Sequence, residues 1–307
     1  MKKIALLALS LTFAAFAFAN LPENFDTLNK KYNPQLIWPE GKMPANSPEA
    51  LGAAKKLNQR KNVINKPHYS LKLQKSEKPS TLVIVVHGGA YRGCGIVCEE
   101  GTMTANAFYE QGYSTLTLDY RAPDNPQGAL QDMQRTIRLA RANAKKWNID
   151  KIVAIGFSAG ANLVARSSAP ITLNSYQKVD EIDNLSPVQD ATILIYPAYC
   201  DQPTNELRWK NIKPTHKDYN LRYALAENLK ITKNTPPVFM YEMLDDSHIT
   251  SAIAYFLAAK DAGVEAELHV KPKGGHGGGM NFRKGPDPIR LQLCVDWLDR
   301  MNFPRNK

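Results

Sequence analysis

Residues 151–163, Lys-Ile-Val-Ala-Ile-Gly-Phe-Ser-Ala-Gly-Ala-Asn-Leu, constrain this chain more than any other stretch. An apolar, β-branched run leads into Gly156-Phe157-Ser158-Ala159-Gly160, and a helix-compatible run follows. That strand–turn–helix context is what a G-x-S-x-G pattern needs if its serine is to sit on a sharp nucleophile elbow. The turn is tight enough to require small residues on both sides, and Gly156 and Gly160 supply them. The serine hydroxyl would then stand at a helix N-terminus, where the N–H of Ala159 faces any oxyanion that develops. Such a serine needs a base, an orienting acid and a second oxyanion donor from elsewhere in the chain.

The surrounding pattern fixes the fold class. Residues 81–86, 113–118, 191–196, 237–241 and 265–271 read as strands, several of them continuously apolar. Continuous apolar strands are expected where both faces of a sheet are covered. Helices are predicted over 105–111, 130–147, 250–262 and 288–301, with one following the serine. A shorter helix is expected at 221–229, within a less regular segment, 200–235, that could form a small cap. Residues 119–126 read as a loop from their prolines, and 171–190 as a polar surface excursion. Strand and helix alternate, so the class is α/β with a mostly parallel sheet and helices on both faces. At 307 residues and 43% hydrophobic composition, one large domain accounts for residues 67–307.

The beginning of the chain has a different character. Lys2 and Lys3 precede an apolar core and Ala17-Phe18-Ala19, the pattern of a cleaved secretory signal over residues 1–19. The core is about 15 residues, short against the roughly 20 a membrane span needs. A periplasmic or secreted protein without stable membrane insertion is the expectation. Residues 20–66 read as an irregular N-terminal arm, with Trp38 as its packing anchor. The formal charge of +10 falls to +8 when the two leader lysines are removed. The basic residues are scattered apart from Lys55, Lys56, Arg60, Lys61 and Lys66, and no nucleic-acid motif accompanies them. Weak attraction to anionic surfaces is compatible with this; nucleic-acid binding is not expected. Cys94, Cys98, Cys200 and Cys294 allow three disulfide pairings in an exported protein, a Cys94–Cys98 loop bridge among them, and buried thiols equally. No metal-binding spacing is visible, and the chemistry requires no cofactor.

Six histidines are available as the base. His276, in Gly-Gly-His-Gly-Gly-Gly just after a predicted strand, is the candidate, because glycines free the backbone at the strand's C-terminal edge where open α/β sheets bind ligands. The acid is expected between serine and histidine, after the 237–243 strand. Asp246 is the choice, with Asp245 the alternative or a helix cap. His248 is read as a loop or helix-start residue. Val86-His87-Gly88-Gly89-Ala90-Tyr91 ends the first buried strand, and Gly89 and Ala90 are the candidate oxyanion donors alongside Ala159. His87 is read as a structural hydrogen-bonder.

Together H-G-G-A-Y, G-F-S-A-G, the Asp-Asp loop and G-G-H-G resemble the α/β-hydrolase superfamily, within the hormone-sensitive-lipase-like esterases. More narrowly, residues 38–44, 119–121, 131–150, 195–198 and 267–276 resemble bacterial exported carbohydrate esterases of the acetyl-xylan type. The resemblance implies the α/β-hydrolase fold, with Ser158, Asp246 and His276 as nucleophile, acid and base. It departs from the commonest pattern at Ala90, where many members carry a third glycine, and at Cys94 and Cys98. The implied activity is hydrolysis of a short-chain ester, acetyl-type, on a glycan or small molecule. A serine peptidase or amidase on the same fold, and a catalytically silent glycan-binding or envelope protein, remain as alternatives.

Overall fold

The computed structural model describes residues 32–46, 64–93, 95, 97–201, 223–280 and 288–306. The segment read as a signal, most of the N-terminal arm with Lys55, Lys56, Arg60 and Lys61 of its basic cluster, Cys94, and the greater part of the cap segment lie outside these residues. Eight strands form one sheet: β1 (Gln35–Leu36), β2 (His68–Lys72), β3 (Ser80–Val86), β4 (Ser114–Asp119), β5 (Ile149–Phe157), β6 (Ala191–Ile195), β7 (Val238–Met243) and β8 (Ala266–Lys271). Their spatial order is β1-β2-β4-β3-β5-β6-β7-β8. β1 and β2 are antiparallel to their neighbours, and every other pairing is parallel.

The apolar strands divide their side chains between two cores. In β3 all seven residues are buried. Leu82, Ile84 and Val86 point to one face, Val83 and Val85 to the other. The first face is covered by α2 (Pro126–Ala142), α3 (Ala144–Trp147), α4 (Ala159–Ser167) and α5 (Ile249–Asp261). The second is covered by α1 (Thr104–Glu110) and α6 (Pro288–Arg300). Cys200 belongs to the first core and Cys294 to the second, and no disulfide joins them. Burial drives the Cys294 thiol far above its usual pKa, so it packs as a small apolar group.

Two elements differ from the sequence reading. The 130–147 helix begins earlier, because Pro126 occupies its first turn and Asn125 caps it by accepting from the Gly128 N–H at 2.9 Å. It breaks at Asn143, after which α3 runs into Asn148 in the left-handed region, φ 52°. No α-helix occupies residues 223–229, where Leu225 instead bridges Asp201.

Trp38 is buried as expected of an anchor, and its Nε1–H donates to Asp132 at 2.7 Å. Asp132 also faces Arg121, whose Nε lies 3.0 Å from Oδ2, and both side chains are buried. Arg121 reaches back to the carbonyl of Pro44 at 2.7 Å, so this ion pair ties the arm to the start of α2.

The sheet register positions the site. Val86 pairs with Gly156, Phe157 with Ile195, Ile195 with Tyr241, and Met243 with Lys271. Neighbouring parallel strands therefore end nearly level, and the loops after β3, β5, β6, β7 and β8 meet along one edge of the sheet.

Candidate active site

Ser158 sits between β5 and α4 with φ 52° and ψ −119°, a conformation that costs a non-glycine residue about 1–3 kcal/mol. Close packing enforces it. A Cβ on Gly156 would fall 2.6 Å from the Ala161 Cα, and one on Gly160 would strike the carbonyls of Val86 and His87. The Ser158 N–H donates to Ile195 O at 3.1 Å, and its carbonyl accepts from Asn162 and Ala198. The serine is thus fixed to the end of β6 as well as to its own helix.

The structure brings Ser158, His276 and Asp246 into one hydrogen-bonded line. Ser158 Oγ lies 2.7 Å from His276 Nε2, and His276 Nδ1 lies 2.7 Å from Asp246 Oδ2. The Asp246 side chain is fully buried, whereas 30% of the His276 side chain is exposed. Burial alone would raise the Asp246 pKa. The hydrogen bond from His276, its charge, and the His248 N–H at 2.7 Å outweigh burial and hold the group below its ordinary value. An ionised Asp246 requires the proton on His276 Nδ1, which leaves Nε2 free to accept from the serine hydroxyl.

Asp245 occupies a different place. Its Oδ1 accepts from the N–H groups of Gly274 and Gly275, each at 2.9 Å, and so holds the histidine loop rather than the imidazole. It does not cap α5; His248 takes the position before that helix. The His248 ring stands 4.8 Å from that of His276.

Gly89, Ala90 and Tyr91 have φ of 93°, 53° and 57°, a left-handed run that turns the chain sharply just after β3. Among the described residues, no acceptor takes the N–H groups of Gly89, Ala90 or Ala159. The loop is braced from behind. His87, fully buried, contacts Asp119 through Nε2 at 2.9 Å, and Tyr120 Oη donates to Gly88 O at 2.8 Å. Tyr91 Oη donates to Asn162 Oδ1 at 2.7 Å, which ties the loop to α4. His87 is therefore a structural hydrogen-bonder, as the sequence indicates.

Two acidic residues of the site carry no sequence signal. Glu242, on β7 behind Asp246, is fully buried, and one of its oxygens accepts from the Met243 N–H at 2.8 Å. Burial, and then the neighbouring Asp246 charge, push its pKa up to about 9. Glu100 lies in a π-helical turn, Glu99–Met103, and accepts from the Gly88 N–H at 2.8 Å.

The arrangement can present an activated hydroxyl to an electrophilic carbonyl. Comparison with known proteins agrees with the fold. The BD-FAE family model matches residues 71–260, more than half of the chain. An acetylxylan esterase of Xylanibacter ruminicola is 30% identical over 75% of this chain and 48% of its own length. Endo-1,4-beta-xylanase B of Butyrivibrio fibrisolvens is 31% identical over 64% of this chain and 32% of its own. The chain thus spans half or less of the length of these curated relatives. The crystal structure of an acetyl ester-xyloside bifunctional hydrolase from Caldicellulosiruptor lactoaceticus superposes with a TM-score of 0.66 at 24% identity, covering 88% of this chain and 96% of that one. An eight-stranded, mostly parallel sheet with this strand order, and these matches, lead to one assignment: the chain belongs to the BD-FAE family and has the α/β-hydrolase fold.

Proposed function

We propose that this protein is an exported serine hydrolase of short-chain carboxylic esters, acetyl esters on a glycan above all. The observation that carries the reading is the unbroken line from Ser158 through His276 to Asp246, beside three N–H groups without an acceptor among the described residues. His276 Nε2 takes the Ser158 proton as Oγ attacks the ester carbonyl. Asp246 holds the imidazole and stabilises its charged form. The N–H groups of Gly89, Ala90 and Ala159 receive the oxyanion, each worth about 10²–10³ in turnover. His276 then returns the proton to the leaving alcohol. Water, activated the same way, releases the acid from Ser158.

The acetylxylan esterase and xylanase relatives support an acetylated xylan as the substrate class. The leader-like residues 1–19 support export. The test uses protein lacking those 19 residues, assayed on p-nitrophenyl esters of increasing acyl length and on an aminoacyl anilide, with Ser158→Ala alongside. Acetyl ester turnover that disappears in Ser158→Ala is expected. Turnover of the anilide alone would favour a peptidase, and none on either would favour a silent fold.

A further inference from the structure

Glu100 links two loops that the proposed reaction must hold in register. Its Oε2 accepts from the Gly88 N–H at 2.8 Å, and its Oε1 accepts from Tyr196 Oη at 2.7 Å. The same phenol oxygen accepts from the Gly279 N–H at 2.7 Å, and Arg290 Nη1 donates to the Gly279 carbonyl at 2.6 Å. The chain of contacts therefore runs from the oxyanion loop, through Glu100 and Tyr196, to the loop that carries His276. Tyr196 is fully buried, adopts φ 38°, and sets its ring edge-on to the His276 imidazole, 5.3 Å between centroids.

The fit at Gly88 shows how close this link comes to the chemistry. A Cβ there would lie 2.9 Å from Glu100 Oε2 and 2.9 Å from the Ser158 Cβ. Only a residue without a Cβ fits between Glu100 and the nucleophile. Glu100 takes the Gly88 N–H, whereas the N–H groups of the next two residues, Gly89 and Ala90, have no acceptor among the described residues. Burial and the Glu100 carboxyl both drive the Tyr196 phenol well above its ordinary pKa, which keeps it a donor to Glu100.

We propose that Glu100 is a positioning residue that, through Tyr196, sets the oxyanion donors and the general base at a fixed separation. The proposal rests on the serine-hydrolase reading. Two charges develop together in the transition state, one on the carbonyl oxygen and one on the imidazole. A link between their two partners acts on that state and leaves the ground-state complex largely alone. Small misplacements of such groups cost on the order of 10²-fold in rate.

The test compares wild type, Glu100→Gln, Tyr196→Phe and the double variant. Active sites are counted by fluorophosphonate labelling of serine, and kcat per labelled site and KM are measured on p-nitrophenyl acetate. Gln offers one acceptor where Glu offers two, and Phe removes a single oxygen, so it serves should Glu100→Gln lower the folded yield. The expected result is a loss of about 10–100-fold in kcat per site for each single variant, with KM within about threefold. The double variant should be no worse than the poorer single one, since both break the same link. Labelling rates should fall in parallel. A kcat per site within threefold of wild type, a loss confined to KM or to the number of labelled sites, or additive losses would overturn the proposal. If wild type takes the label but turns over no ester, the functional reading fails and the labelling rates alone decide the role of Glu100. A wild type that takes no label overturns both.

Discussion

Glu242 gives the most direct physical test of the site's electrostatics. Its carboxyl is fully buried, and burial together with Asp246 raises its pKa from 4.5 to about 9. An acid whose pKa is raised on folding weakens the fold as pH climbs. Below its ordinary value both states hold the proton; above it only the unfolded state releases it. From there until the folded value is reached, stability falls by about 1.4 kcal/mol per pH unit. Asp246 has the opposite sign: its lowered pKa adds stability that is complete above its ordinary range and lost in acid, so it contributes no slope near neutrality. Glu242→Gln cannot ionise, keeps the oxygen that accepts the Met243 N–H, and has almost the same volume. Every other titrating group is common to both proteins. The stability of Glu242→Gln relative to wild type should therefore rise by about 2.7 kcal/mol between about pH 6 and about pH 8. Urea melts of both proteins at the two pH values measure it. A change below about 0.7 kcal/mol, or one of opposite sign, would refute a protonated Glu242 beside Asp246.

Three further predictions follow from the same geometry. Asp246→Asn should lower ester turnover by about 10⁴-fold through loss of the correct imidazole form, while Asp245→Asn, which touches only the Gly274 and Gly275 N–H groups, should cost less than about tenfold; steady-state kinetics in which the two are reversed would exchange their roles. Gly160→Ala should destabilise the protein by about 2–3 kcal/mol in urea melts, because its Cβ meets the carbonyls under α4, and tolerance within about 0.5 kcal/mol would contradict that contact. Arg121→Met should cost about 3–5 kcal/mol, since it leaves Asp132 buried opposite no cation; a loss under about 1 kcal/mol in the same assay would show that Trp38 and the backbone alone satisfy the carboxyl.

The parts of this protein that were legible in its sequence are those where one physical demand dominates. The β3 and β5 runs are apolar on every residue that meets a core, and their short length and β-branched content favour a strand covered on both faces over a buried helix. The elbow was legible because Gly156 and Gly160 answer a steric need that few alternatives share. Asp245 and Asp246 were harder to separate. They are adjacent on one turn, and only the fold shows one carboxyl directed at the imidazole and the other at the glycine loop. Pro126 was read as loop because a proline inside a helix and a proline at its first turn look alike until the Asn125 cap is seen. Glu100 and Glu242 left no trace. A pair of glutamates after a cysteine reads as solvated surface, and a lone glutamate in an apolar strand reads as an interruption. Their partners, Gly88, Tyr196 and Asp246, come from other loops, so no local pattern encodes them.

The hydrogen bond between Ser158 and His276 joins positions 118 residues apart in sequence. Between them the chain must pair β6 on β5, β7 on β6 and β8 on β7, all in parallel, before that bond can form. Parallel neighbours require long crossovers, whose closure is entropically costly and slow. The half of the sheet built from β3, β4 and β5 supplies the strand before the elbow, but the Ile195 carbonyl that takes the Ser158 N–H, and then the imidazole, arrive only with the later pairings. Reactivity at Ser158 is thus a late event in folding, and recovery of labelling after dilution from denaturant would trail the recovery of secondary structure.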